Sequence, residues 1–203
     1  MPPRPGAWNP FAAADQDGHE AAVFWRADAC AAVLPLLALA WTNGTGGPRL
    51  SRAGLRCRIS VLLTPNGRQL VLFSQDGRVL QLEVSGAPVF EDTRLLADVL
   101  VPSERTRARQ QALARLADLV CHGVLRPRLY PCHPRRKRLA LVLQALDGDL
   151  DGAPPRDIAI ALYGADRVQR DWSDAGENLR DQIRRAVKRG RFLMEGGYRM
   201  LLR

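Results

Sequence analysis

The chain is poor in the features that mark secreted and membrane-spanning proteins. Its 203 residues include only four cysteines, none of them closely paired: Cys30, Cys57, Cys121 and Cys132. No apolar stretch opens the chain, and the apolar run 27–41 is interrupted by Asp28 and Pro35 and is too short to cross a bilayer. We therefore expect a cytoplasmic protein with reduced thiols and no membrane contact.

Residues that would support catalysis are also scarce. There are three histidines, and the chain has neither a glycine-rich phosphate loop nor a Ser, His and Asp pattern. Two Cys-His pairs, at 121–122 and 132–133, lack the close Cys-x-x-Cys spacing of structural zinc sites. Three aspartates in 147–151 lack the later Glu of a calcium loop, so we interpret them as an acidic turn between helices. We expect no enzyme activity, no catalytic residue, no metal and no cofactor.

Aromatic side chains make up only 6% of the chain, whereas cations are abundant. Lys and Arg number 30 against 21 Asp and Glu, giving a net charge of +9, and nearly all the cations are arginines. Residues 126–203 hold 17 cations against 10 acids, and residues 1–125 hold 13 against 11. This excess indicates a polyanionic partner. RNA is disfavoured because Phe73 is the single aromatic residue on the predicted strands, which leaves no stacking platform.

Local sequence patterns predict an α+β protein. Three β-prone runs are joined by Asn66-Gly67 and Asp76-Gly77, dipeptides that suit type I′ hairpin turns, and they predict a three-stranded antiparallel meander from about Arg58 to Val84. Residues 1–22 read as a loose leader without periodicity. The apolar residues that follow it are expected in a core: Phe24, Trp25, Val33, Leu34, Leu36 and Leu37.

Helical spacing dominates after Phe90. Leu95, Leu96, Val99 and Leu100 suit a short helix that ends at Pro102-Ser103. The next helix has an apolar side of Leu113, Leu116, Ala117 and Val120 and ends at Gly123. After a proline-rich link, further helices are predicted over 136–146, 154–163, 165–172 and 177–194. We place the domain boundary between residues 125 and 126.

The last of these helices is strongly amphipathic. Its apolar side comprises Leu179, Ile183, Ala186, Val187, Gly190, Leu193 and Met194. Its other side carries six cations: Arg180, Arg184, Arg185, Lys188, Arg189 and Arg191. Asp181 is the one acid within this stretch that could relieve them, so the pattern favours phosphate binding. The alternative is a solvated, arginine-rich surface.

The segment before this helix is similar to part of a helix-turn-helix. Ile158-Ala159, Leu162 and Gly164 resemble the first helix of such a pair, in which a small residue allows close helix crossing. The spacing differs by one residue from the commonest version. Arg167 and Arg170, on the short helix that follows, complete the set of residues that we expect to contact DNA.

These residues also carry a family resemblance. DIAIALYGADRVQRDW, followed by LRDQIRRAVKRGRFLMEGGYRMLL, resembles the RovC-like DNA-binding domain, most strongly from Arg138 to Leu202. The resemblance implies sequence-specific DNA binding and transcriptional activation, of type VI secretion genes or of genes for conjugative-element excision and transfer. Longer members begin with a tryptophan-rich module, and we expect this chain to lack it.

The sequence patterns and the family resemblance together predict three regions. They are a leader (1–22), an α+β domain for assembly or regulation (23–125) and a helical, helix-turn-helix-like DNA-binding domain (126–203). Expected partners are double-stranded DNA, further copies of the chain, and RNA polymerase or another regulator. The alternative function is that of an antiactivator, which would bind a longer regulator of the same family.

Overall fold

The computed structural model describes residues 22–42, 49–97, 105–172 and 179–202. The chain is α+β, as predicted, and divides into two compact units. One comprises Met1–Pro131 with Leu202–Arg203, and the other comprises Cys132–Leu201. The division therefore falls six residues after the boundary inferred from sequence. Nearly all of the expected leader lies outside the described residues.

The first unit is built on one mixed β-sheet. Its strands are β1 (Leu34–Ala40), β2 (Arg49–Leu50), β3 (Arg58–Leu63), β4 (Gln69–Gln75), β5 (Arg78–Gly86) and β6 (Thr93–Ala97). Their order across the sheet is β2-β6-β1-β5-β4-β3. β1 runs parallel to β5, and the other neighbours are antiparallel. The three strands predicted from sequence thus occupy half of a six-stranded sheet.

The two hairpin turns differ in conformation. Asp76 and Gly77 have φ values of 49° and 73°, the pair of positive angles that a type I′ turn requires. At the other turn Gly67 has a φ of 76°, but Asp76 is the one non-glycine residue with positive φ among those described. Asn66 therefore does not adopt the predicted type I′ geometry. Instead Thr64 and Arg68 close a longer loop through a 2.9 Å backbone hydrogen bond.

The helix predicted around Leu95 is wrong over the residues that the structure describes. Thr93–Ala97 form β6, which pairs with β1 in the register Leu37↔Leu96. The later part of that predicted helix, with Pro102-Ser103, lies outside the described residues. Short apolar runs fit a strand or a helix equally well, and pairing with β1 decides the outcome here.

Apolar residues pack on both faces of the sheet. One face packs in a core with Ala112, Leu116 and Leu119 of α1 (Thr106–His122), and the other packs against Phe24. The predicted apolar side of α1 is rotated, since Leu113 is 42% exposed and Ala117 is also exposed. Gly123 ends the helix at a φ of 71°, as predicted. Of the expected core residues, Leu37 is exposed and Trp25 only half-buried.

The second unit is a cluster of four helices. They are α2 (Arg136–Leu150), α3 (Pro155–Tyr163), α4 (Ala165–Asp171) and α5 (Leu179–Met194). Their shared core includes Val142, Ala145, Ile158, Ala159, Val168, Leu179, Ile183, Ala186 and Leu193. α2 continues one turn beyond the predicted end, so Asp147 and Asp149 belong to a helix rather than to the expected turn. Within the described part of the chain, no helix is both long and apolar enough to cross a membrane.

Candidate nucleic-acid interface

The predicted amphipathic helix is present as α5. Leu179, Ile183, Ala186, Gly190 and Leu193 are buried at helical spacing, and Val187 is half-buried. All six predicted cations are exposed. Met194 is the exception to the predicted apolar side, since it is 53% exposed at the end of the helix. The helix therefore presents its cations to solvent while its other side is fixed in the core.

Close packing of α2 against α5 fixes the position of this cationic side. A Cβ atom placed on Gly190 would lie 2.8 Å from the Leu146 Cβ, a separation that real side chains do not adopt. A Cβ on Gly148, two residues after Leu146 in α2, would similarly lie 3.0 Å from the Cγ1 of Ile158 in α3. Small residues thus let three helices pack tightly beneath the cations.

Two of the six cations have acidic partners in the structure. Arg184 lies 3.3 Å from Asp181, and both side chains are exposed, so this pair is weak. The Arg191 Nε donates to the Asp149 carboxylate of α2 at 3.0 Å. This second pair joins residues 42 positions apart, and the spacing within α5 gives no signal of it.

The remaining cations of α5 are less constrained. Within the described residues, Arg180, Arg185 and Lys188 have no acidic partner within ion-pair distance. The Arg189 guanidinium stacks over the Phe192 ring at 5.0 Å, and this contact leaves its charge uncompensated. Phe192 is itself 44% exposed.

The residues after α5 form a turn and a short 3-10 helix over Gly197–Leu201. Gly196 has a φ of 116°, and a Cβ on Gly197 would collide with the Phe192 ring. Met200 and Leu201 are 52% and 47% exposed. Tyr198 is half-buried.

α4 places Arg167 and Arg170 at the surface, and both have contacts of their own. Arg167 stacks over Tyr163 at 5.2 Å and lies 3.5 Å from Asp171. The Arg170 Nε donates to the Asp166 carbonyl at 3.3 Å. Their role in DNA binding remains a prediction.

Gly164, with a φ of 86°, is the single residue that joins α3 to α4. Ile158 and Ala159 are buried, and Leu162 is half-buried. These positions fit a close helix crossing. The helix-turn-helix assignment nevertheless stays a prediction, since residues 173–178, between α4 and α5, lie outside the described part.

A second basic segment was not singled out by helical periodicity. Arg135, Arg136, Lys137 and Arg138 are consecutive and all exposed at the start of α2. They lie in the same unit as α5. The signal in the sequence is the uninterrupted run of four cations. Helical periodicity does not detect it, because consecutive residues point to all sides of a helix.

Other clusters of polar residues have structural explanations. In the first unit, the buried Asp118 accepts hydrogen bonds from Arg126 and Arg128, and these two cations compensate the charge of the carboxylate. Among the residues that the structure describes, no three His, Cys, Asp or Glu side chains are grouped so that they could hold a metal ion. Cys30, Cys57, Cys121 and Cys132 are free thiols.

The second unit is thus a helical domain with a cationic helix at its surface. This arrangement is typical of proteins that bind a polyanion. Residues 94–203 match the family model of the RovC DNA-binding domain, described as the DNA-binding domain of a T6SS transcription factor. This match spans more than half of the chain, so the protein belongs to the RovC DNA-binding domain family, and it is a DNA-binding regulator. No curated protein matches the chain.

Proposed function

We propose that the protein is a sequence-specific regulator that binds double-stranded DNA through α5 and α4. The observation that carries this proposal is the burial of one side of α5 together with the exposure of all six cations on the other. The DNA contacts would come from Arg180, Arg184, Arg185, Lys188, Arg189 and Arg191, with Arg167 and Arg170. Arginine suits this role because its guanidinium can bind phosphate bidentately and can read guanine in the major groove.

The electrostatics of α5 support phosphate contacts in particular. Arg180, Arg185 and Lys188 have no acidic partner among the described residues, so DNA phosphates would neutralise charges that the protein itself leaves uncompensated. Binding would then release counterions and weaken steeply as salt increases. Arg191, which is held by Asp149, would contribute less to this salt dependence.

The regulatory outcome that we propose is activation of transcription, of T6SS genes or of genes carried by a conjugative element. Family membership supports the connection with a T6SS transcription factor. RNA polymerase or another regulator would be the protein partner. In the alternative function, the chain acts as an antiactivator by binding a longer regulator. Transcription in vitro with the purified chain separates the two, since an activator increases transcript on bound DNA and an antiactivator does not.

The test of the α5 interface is the variant Arg184→Ala, Arg185→Ala and Lys188→Ala. We expect loss of specific DNA binding, measured by fluorescence anisotropy on fragments selected from genomic DNA, with an unchanged melting temperature because all three side chains are exposed. The matched control is Arg26→Ala, Arg52→Ala and Arg56→Ala. These residues are exposed in the first unit, and the control removes the same charge. Equal affinity of the α5 variant and the wild type would reject the interface.

We also propose that the protein self-associates through β3. β3 is an edge strand of the sheet, and its RISVLL sequence contains no proline to discourage pairing. Antiparallel pairing with a second copy, centred on Val61, would place Val61 opposite Val61 and Ile59 opposite Leu63. Leu63 is 64% exposed, and this register would cover it. Parallel pairing would instead place Arg58 beside Arg58, so the antiparallel arrangement is favoured.

A further inference from the structure

The run Arg135–Arg138, here called the α2 basic run, is the strongest concentration of charge that the proposed interface does not use. All four side chains are exposed. Within the described residues none of them has an acidic partner in ion-pair distance, and the one polar contact of the run's side chains is from Arg136 Nη1 to the Cys132 Sγ at 3.5 Å. Four adjacent positive charges therefore stand without compensation.

This placement is unfavourable for the helix itself. Arg136, Lys137 and Arg138 occupy the first turn of α2, where the backbone dipole favours acids, and that turn contains no acid. The Arg135 side chain makes no capping hydrogen bond, although the His133 Nδ1 accepts the Arg135 backbone N–H at 3.1 Å. The four cations also repel one another. The stability of α2 therefore does not explain why four cations occupy its start.

Packing does not explain it either. α2 enters the core from Leu139 onward, with Val142, Ala145 and Leu146 buried. Arg138 precedes Val142 by one turn and so lies on the same stripe of the helix, yet it is exposed. The run therefore lies beyond the packed part of α2, and its side chains can be removed without opening the core.

We propose that the α2 basic run is a second, sequence-independent binding site for the phosphates of the same DNA that α5 contacts. The inference rests on the proposed function. α2 packs directly on α5 at Leu146 and Gly190, so both basic segments belong to one packed unit. Phosphate contacts fix the position of a protein on DNA without reading its sequence, whereas base contacts specify the site. The α2 basic run supplies the first kind of contact only.

The experiment replaces Arg135, Arg136, Lys137 and Arg138 with alanine in the full chain. We expect binding to weaken by at least about tenfold on specific and on random DNA alike, with the ratio between them unchanged. The slope of log K against log salt should become shallower by about 0.9 for each phosphate that the protein no longer neutralises. The melting temperature should stay the same or rise, because unfavourable charges leave the first turn of α2.

Two control variants make the result specific. Arg26→Ala, Arg52→Ala, Arg56→Ala and Arg107→Ala remove the same charge from exposed positions of the first unit and should leave the salt slope nearly unchanged. Arg135→Lys, Arg136→Lys and Arg138→Lys keep the charge and should preserve most of the slope. Loss of binding by the lysine variant as well would show that charge is not the cause, and would overturn the proposal.

The remaining outcomes separate this inference from the proposed function. If the α5 variant loses DNA binding while the α2 variant keeps wild-type affinity and slope, the inference fails and the proposed function stands. If both variants bind normally, both fail. A lower melting temperature of the α2 variant would assign the run a structural role. Normal DNA affinity with impaired transcription would assign it to an acidic protein partner, and either result would overturn the proposal.

Discussion

At the scale of single residues, Asp118 illustrates how the first unit accommodates a buried charge. Only 8% of this residue is exposed, and the Arg126 Nε lies 2.9 and 2.8 Å from its two carboxylate oxygens. The Arg128 Nη2 also donates to this carboxylate, at 3.0 Å. The hydrogen bonds from Arg126 hold the pKa of Asp118 well below its ordinary value, although burial opposes them. Both arginines come from the segment after α1, so the ion pairs attach that segment to the helix.

Asp118→Asn is therefore expected to destabilise the first unit by about 2 kcal/mol at neutral pH, since it weakens bonds to two charged partners. Because folding lowers the pKa of Asp118, its contribution is fully present above the unfolded value near pH 4 and is lost as the pH falls below it. Chemical denaturation of both proteins across this range should show their free energies of unfolding converging in acid. Asp28→Asn, which removes an exposed partner of Arg26, should change little at any pH. A difference that persists undiminished in acid would contradict the account.

Burial of individual residues was only partly predictable from sequence. On α5 the strong contrast between arginines and aliphatic residues fixes the buried side, and Ile183 and Leu193 lie where predicted. On α1, small and large apolar residues occur around much of the helix, and the buried side includes Ala112 instead of the predicted Leu113. The pair Arg191–Asp149 could not be found either, because it depends on how α2 and α5 pack.

At the scale of elements, the crossing of α2 and α5 depends on Gly190. Glycine within a helix costs about 1 kcal/mol relative to alanine, so a glycine here needs a compensating advantage. That advantage is close approach, since a Cβ at this position would lie 2.8 Å from the Leu146 Cβ and 3.3 Å from its Cδ2.

Gly190→Ala should consequently lower the stability of the second unit by about 1–2 kcal/mol, because the overpacking penalty exceeds the gain in helix propensity. Thermal and urea denaturation would measure the change, and DNA affinity should fall as α5 shifts. Adding Leu146→Gly tests the cause, because it removes the Leu146 Cβ that the new methyl group would meet, so the double variant should cost less than the sum of the two single variants. Gly54→Ala, which adds a methyl group in open space, serves as the control. Simple additivity of Gly190→Ala and Leu146→Gly would exclude the proposed contact.

The elements that the sequence predicted share a strong local pattern. α5 has sixteen residues of consistent periodicity, and β4 and β5 flank an Asp-Gly turn. β1 and β6 lack such signals. Each is a short apolar segment, and its identity as a strand depends on a partner distant in sequence, as β1 and β5 pair Leu34 with Leu82. Non-local pairing of this kind leaves little trace in local periodicity.

At the scale of the whole molecule, the excess of cations and the proposed association surface belong to different units. The excess of cations lies in the C-terminal part of the chain, whereas the open sheet edge at β3 belongs to the first unit. Self-association through β3 would not itself use the cations of α5, because these belong to the second unit. Two linked copies would then bind two half-sites together, and each would raise the effective concentration of the other on the DNA.

Leu63→Arg tests this arrangement. Leu63 is 64% exposed, so the change should leave the melting temperature unaltered, yet in the dimer it would place a cation opposite the apolar Ile59 of the second copy. We expect sedimentation velocity to show a dimer for the wild type and a monomer for Leu63→Arg. Affinity for DNA with two half-sites should fall while affinity for a single half-site is retained. Val79→Arg, at a 49% exposed position on the interior strand β5, is the matched control and should remain dimeric. A monomeric wild type, or equal dissociation of both variants, would mean that β3 does not form the interface, because only the edge strand can accept a second copy in this register.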